Sequence, residues 1–147
     1  MTGHLEVLSD EECRALLTSG RVGRVAVTAD ALPVIAPVNY VVDGNTIVFR
    51  TKRDGMLARA CDDAVIAFEI DELAADGSGG WSVNVVGIAS LVSDSDALRA
   101  LGLGLVSAAG DEREQFVRMR LGLIHGQRIT PTAVFASSRS KPPNPPS

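Results

Sequence analysis

Residues 37–57 read Pro37-Val38-Asn39-Tyr40-Val41-Val42-Asp43-Gly44-Asn45-Thr46-Ile47-Val48-Phe49-Arg50-Thr51-Lys52-Arg53-Asp54-Gly55-Met56-Leu57. The order of residue types predicts a strand, a tight turn, a second strand, a basic loop and a helix start. Asp43-Gly44-Asn45 is turn chemistry, because glycine accepts a positive φ without steric cost and Asp and Asn tolerate it. β-branched and aromatic residues flank the turn, so a hairpin is the simplest solution. Its second strand carries Arg50, Thr51, Lys52 and Arg53 to the edge of a helix. A hydroxyl and cations beside the free N–H groups of a helix start form a plausible phosphate cradle. The same two cations, Lys52 and Arg53, also suit an ordinary solvated loop, and the residues alone leave both readings open.

A chain of 147 residues has the length of one domain with one core. With 46% hydrophobic and 22% charged residues it is an ordinary globular composition. The net charge of −4 argues against general affinity for nucleic acid or an anionic membrane, so any anion must be held by a local basic cluster. Residues 1–12 are polar and acidic, unlike a signal peptide, and no apolar run approaches the ~20 residues that span a bilayer. A cytoplasmic protein is expected. Cys13 and Cys61 fall on apolar helical faces and are expected to be reduced core residues. With one Trp, one Tyr and four Phe, the core must be built from Val, Ile, Leu and Ala, which favours sheet.

Outward from the hairpin, Ser9-Asp10-Glu11-Glu12 has the form of a capping box, and Cys13, Leu16 and Leu17 supply the buried stripe of a helix that Gly20 ends. Residues 21–28 alternate, with Val22, Arg24, Ala26 and Thr28 on one face and Arg21, Gly23, Val25 and Val27 on the other. Residues 34–39 form the next strand. Pro37 within it cannot donate to a ladder, so the sheet should be open nearby, where a planar ligand could meet main-chain groups. A helix is expected from about Gly55 to Cys61, with Met56, Leu57, Ala60 and Cys61 on its apolar side. Further strands are expected over 64–70, 81–92, 114–121 and 122–130, with a helix after Ser93 and an ambiguous segment over 102–110.

Gly87 in mid-strand suggests close backbone approach at a barrel corner, and Gly126 suggests a bend. The face carrying Arg118 and Arg120 needs water, an anion or an acidic partner. Residues 137–147 lack apolar side chains and read as a disordered proline-rich tail, leaving 1–136 as a single domain. The whole is mainly β, a small barrel of six to seven strands with short flanking helices.

No H-E-x-x-H, C-x-x-C, G-x-S-x-G or Walker motif occurs, and His4 and His125 are far apart in sequence. No metal site and no catalytic side chain can be named. An enzyme of this composition would rely on a cofactor for its chemistry.

Leu8-Ser9, Leu16-Leu17, Gly23-Arg24-Val25-Ala26-Val27, Pro33, Pro37-Val38-Asn39-Tyr40, Asp43-Gly44, Ile47-Val48-Phe49-Arg50-Thr51, Trp81-Ser82-Val83, Gly87-x-Ala89 and Phe116-Val117-Arg118-Met119 form a composite pattern. It resembles the pyridoxamine 5′-phosphate oxidase-like flavin-binding proteins, nearest their nitroimidazole-resistance branch, over about residues 7–130. The resemblance implies a split β-barrel homodimer with FMN in a groove between subunits and a small-molecule electron acceptor. It places Pro37, Val38 and Asn39 along the isoalloxazine ring and Arg50, Thr51 and Lys52 near the ribityl phosphate. Met56 and Leu57 would offer backbone donors, and Trp81 and Ser82 would border the groove. Many relatives carry lysine where this chain has Met56, and the substrate-holding Arg-Leu segment of true pyridoxamine-phosphate oxidases is missing, so vitamin B6 chemistry is not expected. A flavin-dependent oxidoreductase is the leading expectation. The alternatives are a reductase using the deazaflavin F420, with Lys52, Arg53 and Arg59 at its acidic tail, and a non-catalytic flavin or haem carrier with His125 as the axial ligand.

Overall fold

The computed structural model describes residues 3–105 and 114–131, so the expected tail at 137–147 lies outside the described residues, as does most of the ambiguous segment over 102–110. In chain order the elements are β1 (Gly3–Val7), α1 (Asp10–Ser19), β2 (Val22–Ala29), β3 (Leu32–Asp43), β4 (Thr46–Lys52) and α2 (Met56–Ala60). They continue with β5 (Ala64–Leu73), β6 (Gly80–Leu91), α3 (Asp94–Gly102), β7 (Glu114–Arg120) and β8 (Leu123–Pro131). The eight strands form one sheet in the order β1-β8-β6-β5-β2-β3-β4-β7, and an additional β6–β7 pairing closes six of them into a barrel. β8 and β1 continue from β6 as a flange.

Mainly β architecture with short helices is therefore what the alternation predicted, with two differences of detail. The strand count is eight among the described residues, because residues 3–7 pair with β8, which sets His4 opposite Thr130. The strand expected at 34–39 and the first arm of the hairpin are one element, β3, which pairs with β2 over Leu32–Asn39 and with β4 over Tyr40–Asp43.

The alternation of β2 decides its facing. Val25 and Val27 are buried, whereas Val22, Arg24, Ala26 and Thr28 are exposed. A one-residue slip would push the Arg24 guanidinium into the barrel, so the register is strongly specified.

Barrel closure depends on glycine. β6 pairs with β8 from Gly80 to Val86 and with β7 from Ala89 to Leu91. Gly87 lies at the exchange, where a Cβ would run into the Arg120 carbonyl oxygen, and a Cβ on Gly122 would stand 2.5 Å from the Val86 carbonyl oxygen. Two backbones cross here at a distance that no side chain permits. The corner expected at Gly87 is thus a barrel seam. Gly126, expected as a bend, instead lies within continuous β8, and its missing Cβ lets Cys13 and Leu8 pack directly on the strand.

Ile47, Phe49, Phe68, Val83, Val85, Val117 and Met119 fill the barrel. α1 is started by its capping box, with Ser9 Oγ accepting from the Glu12 N–H at 3.1 Å and Glu12 Oε1 accepting from the Ser9 N–H at 3.2 Å. It buries Cys13 and Leu17, while Leu16 is half-buried. Both cysteines are free and buried, and burial pushes the Cys61 thiol up to about 11.

α3 covers the outside of the barrel over a smaller cluster of Val48, Ala100, Leu105 and Phe116. Asp43 fastens it, accepting from Arg99 at 3.0 Å and from Arg118 at 3.1 Å, and the Arg99 guanidinium holds its carboxyl below the usual carboxylate range. Arg118 thereby finds its acidic partner within the chain.

Candidate functional site

The split in the barrel lies where β3 and β4 part. Their ladder runs from Asp43↔Thr46 to Tyr40↔Phe49. Beyond it, Arg50, Thr51 and Lys52 pair with β7, and Leu32–Asn39 pair with β2 alone. The β3 edge facing away from β2 is consequently open over residues 32–39 among the described residues. Pro37 lies on this edge, where a missing N–H costs nothing. Pro37 is exposed, Val38 is buried and Asn39 is half-buried.

Across the split, Arg50 is engaged with Glu114 at 3.1 Å, and Thr51 is half-buried. Lys52 and Arg53 are exposed. The loop then folds tightly. The Gly55 N–H donates to the Lys52 carbonyl at 3.2 Å, Asp54 adopts φ 59°, and Arg59 Nη1 donates back to the Asp54 carbonyl at 2.6 Å. Arg59 is therefore committed to holding the loop.

α2 packs against β2 and β4 and buries Leu57 and Ala58. The helix is shorter than expected, and Met56 is 40% exposed instead of lying on the apolar side. The reason is geometric, since Leu57, Ala58 and Cys61 already fill the face toward the barrel. The first N–H groups of a helix have no internal partner, and here they belong to Met56, Leu57 and Ala58.

Six of the ten residues singled out in the sequence therefore lie along one split, Pro37, Val38, Asn39, Arg50, Thr51 and Lys52, whereas α2 carries Met56 to Thr28, Ala29 and Asp30 and buries Leu57 in the core. Trp81 and Ser82 do not join them within one chain. They pair with Glu72 and Asp71 of β5 and with Arg128 and Gln127 of β8. β5 and β2 separate them from β3, three strand spacings or about 14 Å. Trp81 packs against the barrel core, and Ser82 is half-buried. His125 is farther still, on β8 opposite Asn84. Among the described residues no group of three or more His, Cys, Asp and Glu could hold a metal ion.

Two features escaped sequence reasoning. The first is the outer face of the sheet, where strand pairing lines up Ile35, Ala26, Ala67, Val86 and Leu123 in one row across five strands. Ile35 is 72% exposed and Leu123 76%, and Val65 and Ile88 widen the apolar area. Beside the row, Arg24 bridges Glu69 and Asp71 at 3.3 Å each, next to a depression of about 380 Å³. Burial and the adjacent Asp71 raise Glu69 to about 7 against the pull of Arg24. Each strand shows its half of this pattern by alternation, but the row exists only once strand order is known.

The second is a cavity of about 390 Å³ between the end of α1, the middle of β3 and the residues after α3. Thr18, Ser19, Arg21, Asn39, Leu103 and Gly104 line it. Its parts are too distant in sequence to be associated by spacing.

A six-stranded antiparallel barrel, opened where one strand leaves its neighbour and flanked there by a short helix, defines a split β-barrel protein. The chain belongs to the pyridoxamine 5′-phosphate oxidase family, whose model matches residues 9–137. Among solved structures it is similar to the FAD binding protein from Mycobacterium smegmatis, with 34% identity, a TM-score of 0.71 and coverage of 84% of this chain and 98% of that one. It shares its fold with a protein from Bacteroides thetaiotaomicron assigned to 5-nitroimidazole antibiotic resistance, at 12% identity and a TM-score of 0.67, covering 88% of this chain and 90% of that one. An uncharacterized protein of Mycobacterium tuberculosis is 39% identical over 94 residues, which is 60% of this chain and 62% of that relative's length. No helix among the described residues is long and apolar enough to cross a membrane.

Proposed function

We propose that the chain is a flavin-dependent oxidoreductase of the cytoplasm, formed by residues 1–136, whose cofactor lies along the split between β3 and β4. The observation that carries this reading is the open β3 edge at Pro37–Asn39, across the split from Thr51 and Lys52, with the loop to α2 following them. An unpaired strand edge offers main-chain donors and acceptors to a planar heterocycle, and the Thr51–Leu57 turn offers a hydroxyl, exposed cations and helix-start N–H groups to a phosphate. The M. smegmatis relative, named as FAD binding, supports a flavin at such a site. Bound flavin would supply electron transfer at its N5 to a small-molecule acceptor. The protein's own residues hold the ring flat against β3, hold the phosphate at the turn, and admit the acceptor to the exposed side. FMN, or the FMN half of a larger flavin, fits this division.

The groove is completed by a second copy of the chain. Trp81 and Ser82 stand about 14 Å from the β3 edge of their own chain, so they border a shared groove only across a dimer. The exposed apolar row from Ile35 to Leu123 suits that contact, because a face of this kind is seldom left in water.

Titration of purified protein with FMN, FAD and F420, followed by quenching of ligand fluorescence, tests the cofactor reading. Binding of FMN or FAD at micromolar concentration supports it; binding of F420 alone, or of none of the three, overturns it. Sedimentation at micromolar concentration tests the dimer, and Ile35→Glu should shift it toward monomer.

A further inference from the structure

We infer that the Arg24–Glu69–Asp71 cluster makes pairing of two copies proton-dependent: closing the outer sheet face of one chain on a second takes up a proton from solvent at each Glu69, so the dimer tightens as pH falls and loosens as it rises. This rests on the dimer reading above and adds a control to it.

Strand register fixes where the cluster stands. Two residues along from Ile35, Ala26, Ala67, Val86 and Leu123, the same five strands carry Pro37, Arg24, Glu69, Asn84 and His125. Asp71 follows on β5, two residues beyond Glu69. In the strand order β1-β8-β6-β5-β2-β3, β5 has three strands on one side and two on the other, so the cluster lies within the face and not at its rim. Five strand spacings span about 24 Å and the ten residues of β5 about 33 Å. The face therefore offers roughly 800 Å², the area each partner contributes to a standard interface. An isologous contact encloses the cluster of both copies.

The cluster sets two carboxylates against one guanidinium. Arg24 Nη1 lies 3.3 Å from Glu69 Oε1 and 3.3 Å from Asp71 Oδ2, so one cation is shared between two anions. With both acids ionised each copy carries one uncompensated negative charge into the contact. In the separate chain, water reaches the cluster through the depression of about 380 Å³, which Ile35, Ala26 and Ala67 also line. A second copy seated on Ile35 closes that opening. Loss of water penalises the ionised carboxylate, and a proton relieves the penalty.

Glu69 is the acid that takes it. Within one chain burial, and then Asp71, already hold it at about 7 against the pull of Arg24. The dimer covers it further and so binds its proton more tightly than the separate chains do. That contribution is fully present below about pH 7 and is lost as pH rises through the still higher value of the dimer. The charged groups facing Glu69 are Arg24 from β2 and Asp71 from its own strand; β3 offers none, and β6 offers Asn84. His125, one strand beyond Asn84 on β8, is the other ionisable side chain of that row.

Sedimentation of the full chain at pH 6, 7 and 8.5, repeated on Glu69→Gln and His125→Gln, tests the inference. Glutamine keeps an acceptor for Arg24 and stands in for the protonated acid. The dissociation constant of the parent should rise about tenfold or more from pH 6 to pH 8.5, whereas Glu69→Gln should stay tight throughout and His125→Gln should keep the parent's dependence. If the dimer persists at the lowest measurable concentration, the rate at which labelled and unlabelled copies exchange partners reads the same loosening. A thermal melt checks that Glu69→Gln folds. If it does not, proton release on dissociation of the parent, counted by dilution calorimetry in two buffers of different ionisation heat, decides. A dimer whose affinity ignores pH or tightens as pH rises overturns the inference and leaves the dimer reading intact. A dependence that survives Glu69→Gln or vanishes in His125→Gln does the same. A monomer at every pH overturns both.

Discussion

The Tyr40 hydroxyl donates to the Leu17 carbonyl at 2.5 Å, tying the centre of β3 to the last turn of α1. The ring is buried, meets Phe68 edge to face at 4.8 Å, and burial pushes its hydroxyl up to about 12. Gly20, which ends α1, packs so closely on this hydroxyl that a Cβ there would collide with it. One side chain thus sets where α1 stops, and with it the wall of the cavity that Arg21 lines.

Tyr40→Phe keeps the ring and removes this bond, leaving the carbonyl of buried Leu17 without its side-chain donor. Stability should fall by about 1–2 kcal/mol, read by urea denaturation. An unchanged denaturation midpoint would contradict the assigned role.

Gly87 and Gly44 are a matched pair of glycines with opposite constraints. Gly44 has φ +59° with open space around it, so Gly44→Ala should cost about 1 kcal/mol through backbone strain. Gly87 is crowded by the Arg120 carbonyl, so Gly87→Ala must separate β6 from β7 and should cost more than about 4 kcal/mol. Thermal melts of the two variants should differ widely.

Glu69 is pushed from the ordinary 4.5 to about 7, first by burial and then by Asp71. The folded chain therefore holds this proton more tightly than the unfolded one. The resulting stabilisation is fully present below pH 4.5 and is lost as pH rises through about 7. Between pH 5 and pH 8 the melting temperature of the parent should fall relative to that of Glu69→Gln. Parallel slopes for the two proteins would refute the assignment.

Met56 is 40% exposed at the start of α2, so lysine can replace it without disturbing the core. On the proposed reading Met56→Lys adds a cation at the phosphate end of the groove. FMN should bind about tenfold tighter with little change in the melt. Weaker or unchanged binding would place the phosphate elsewhere.

Alternation and turn chemistry determined the barrel class, the facing of β2, the hairpin at Gly44, the capping box and the strand opening at Pro37. These are local matters, set by side-chain period, by positive φ and by a missing N–H. The resemblance pattern added the family, and the match over residues 9–137 agrees with it. β1 was not legible, because residues 3–7 become a strand only through β8, more than a hundred residues away. Strand order is likewise a long-range property. It alone aligned Ile35, Ala26, Ala67, Val86 and Leu123, drew Arg24 to Glu69 and Asp71, and set Trp81 and Ser82 apart from Pro37–Asn39. It also gave Arg118 its partner in Asp43 and left Arg21 without one among the described residues. A sequence states which side chains a strand turns inward; which strands stand next to one another is decided by barrel closure at Gly87 and Gly122, where two backbones cross too closely for any Cβ.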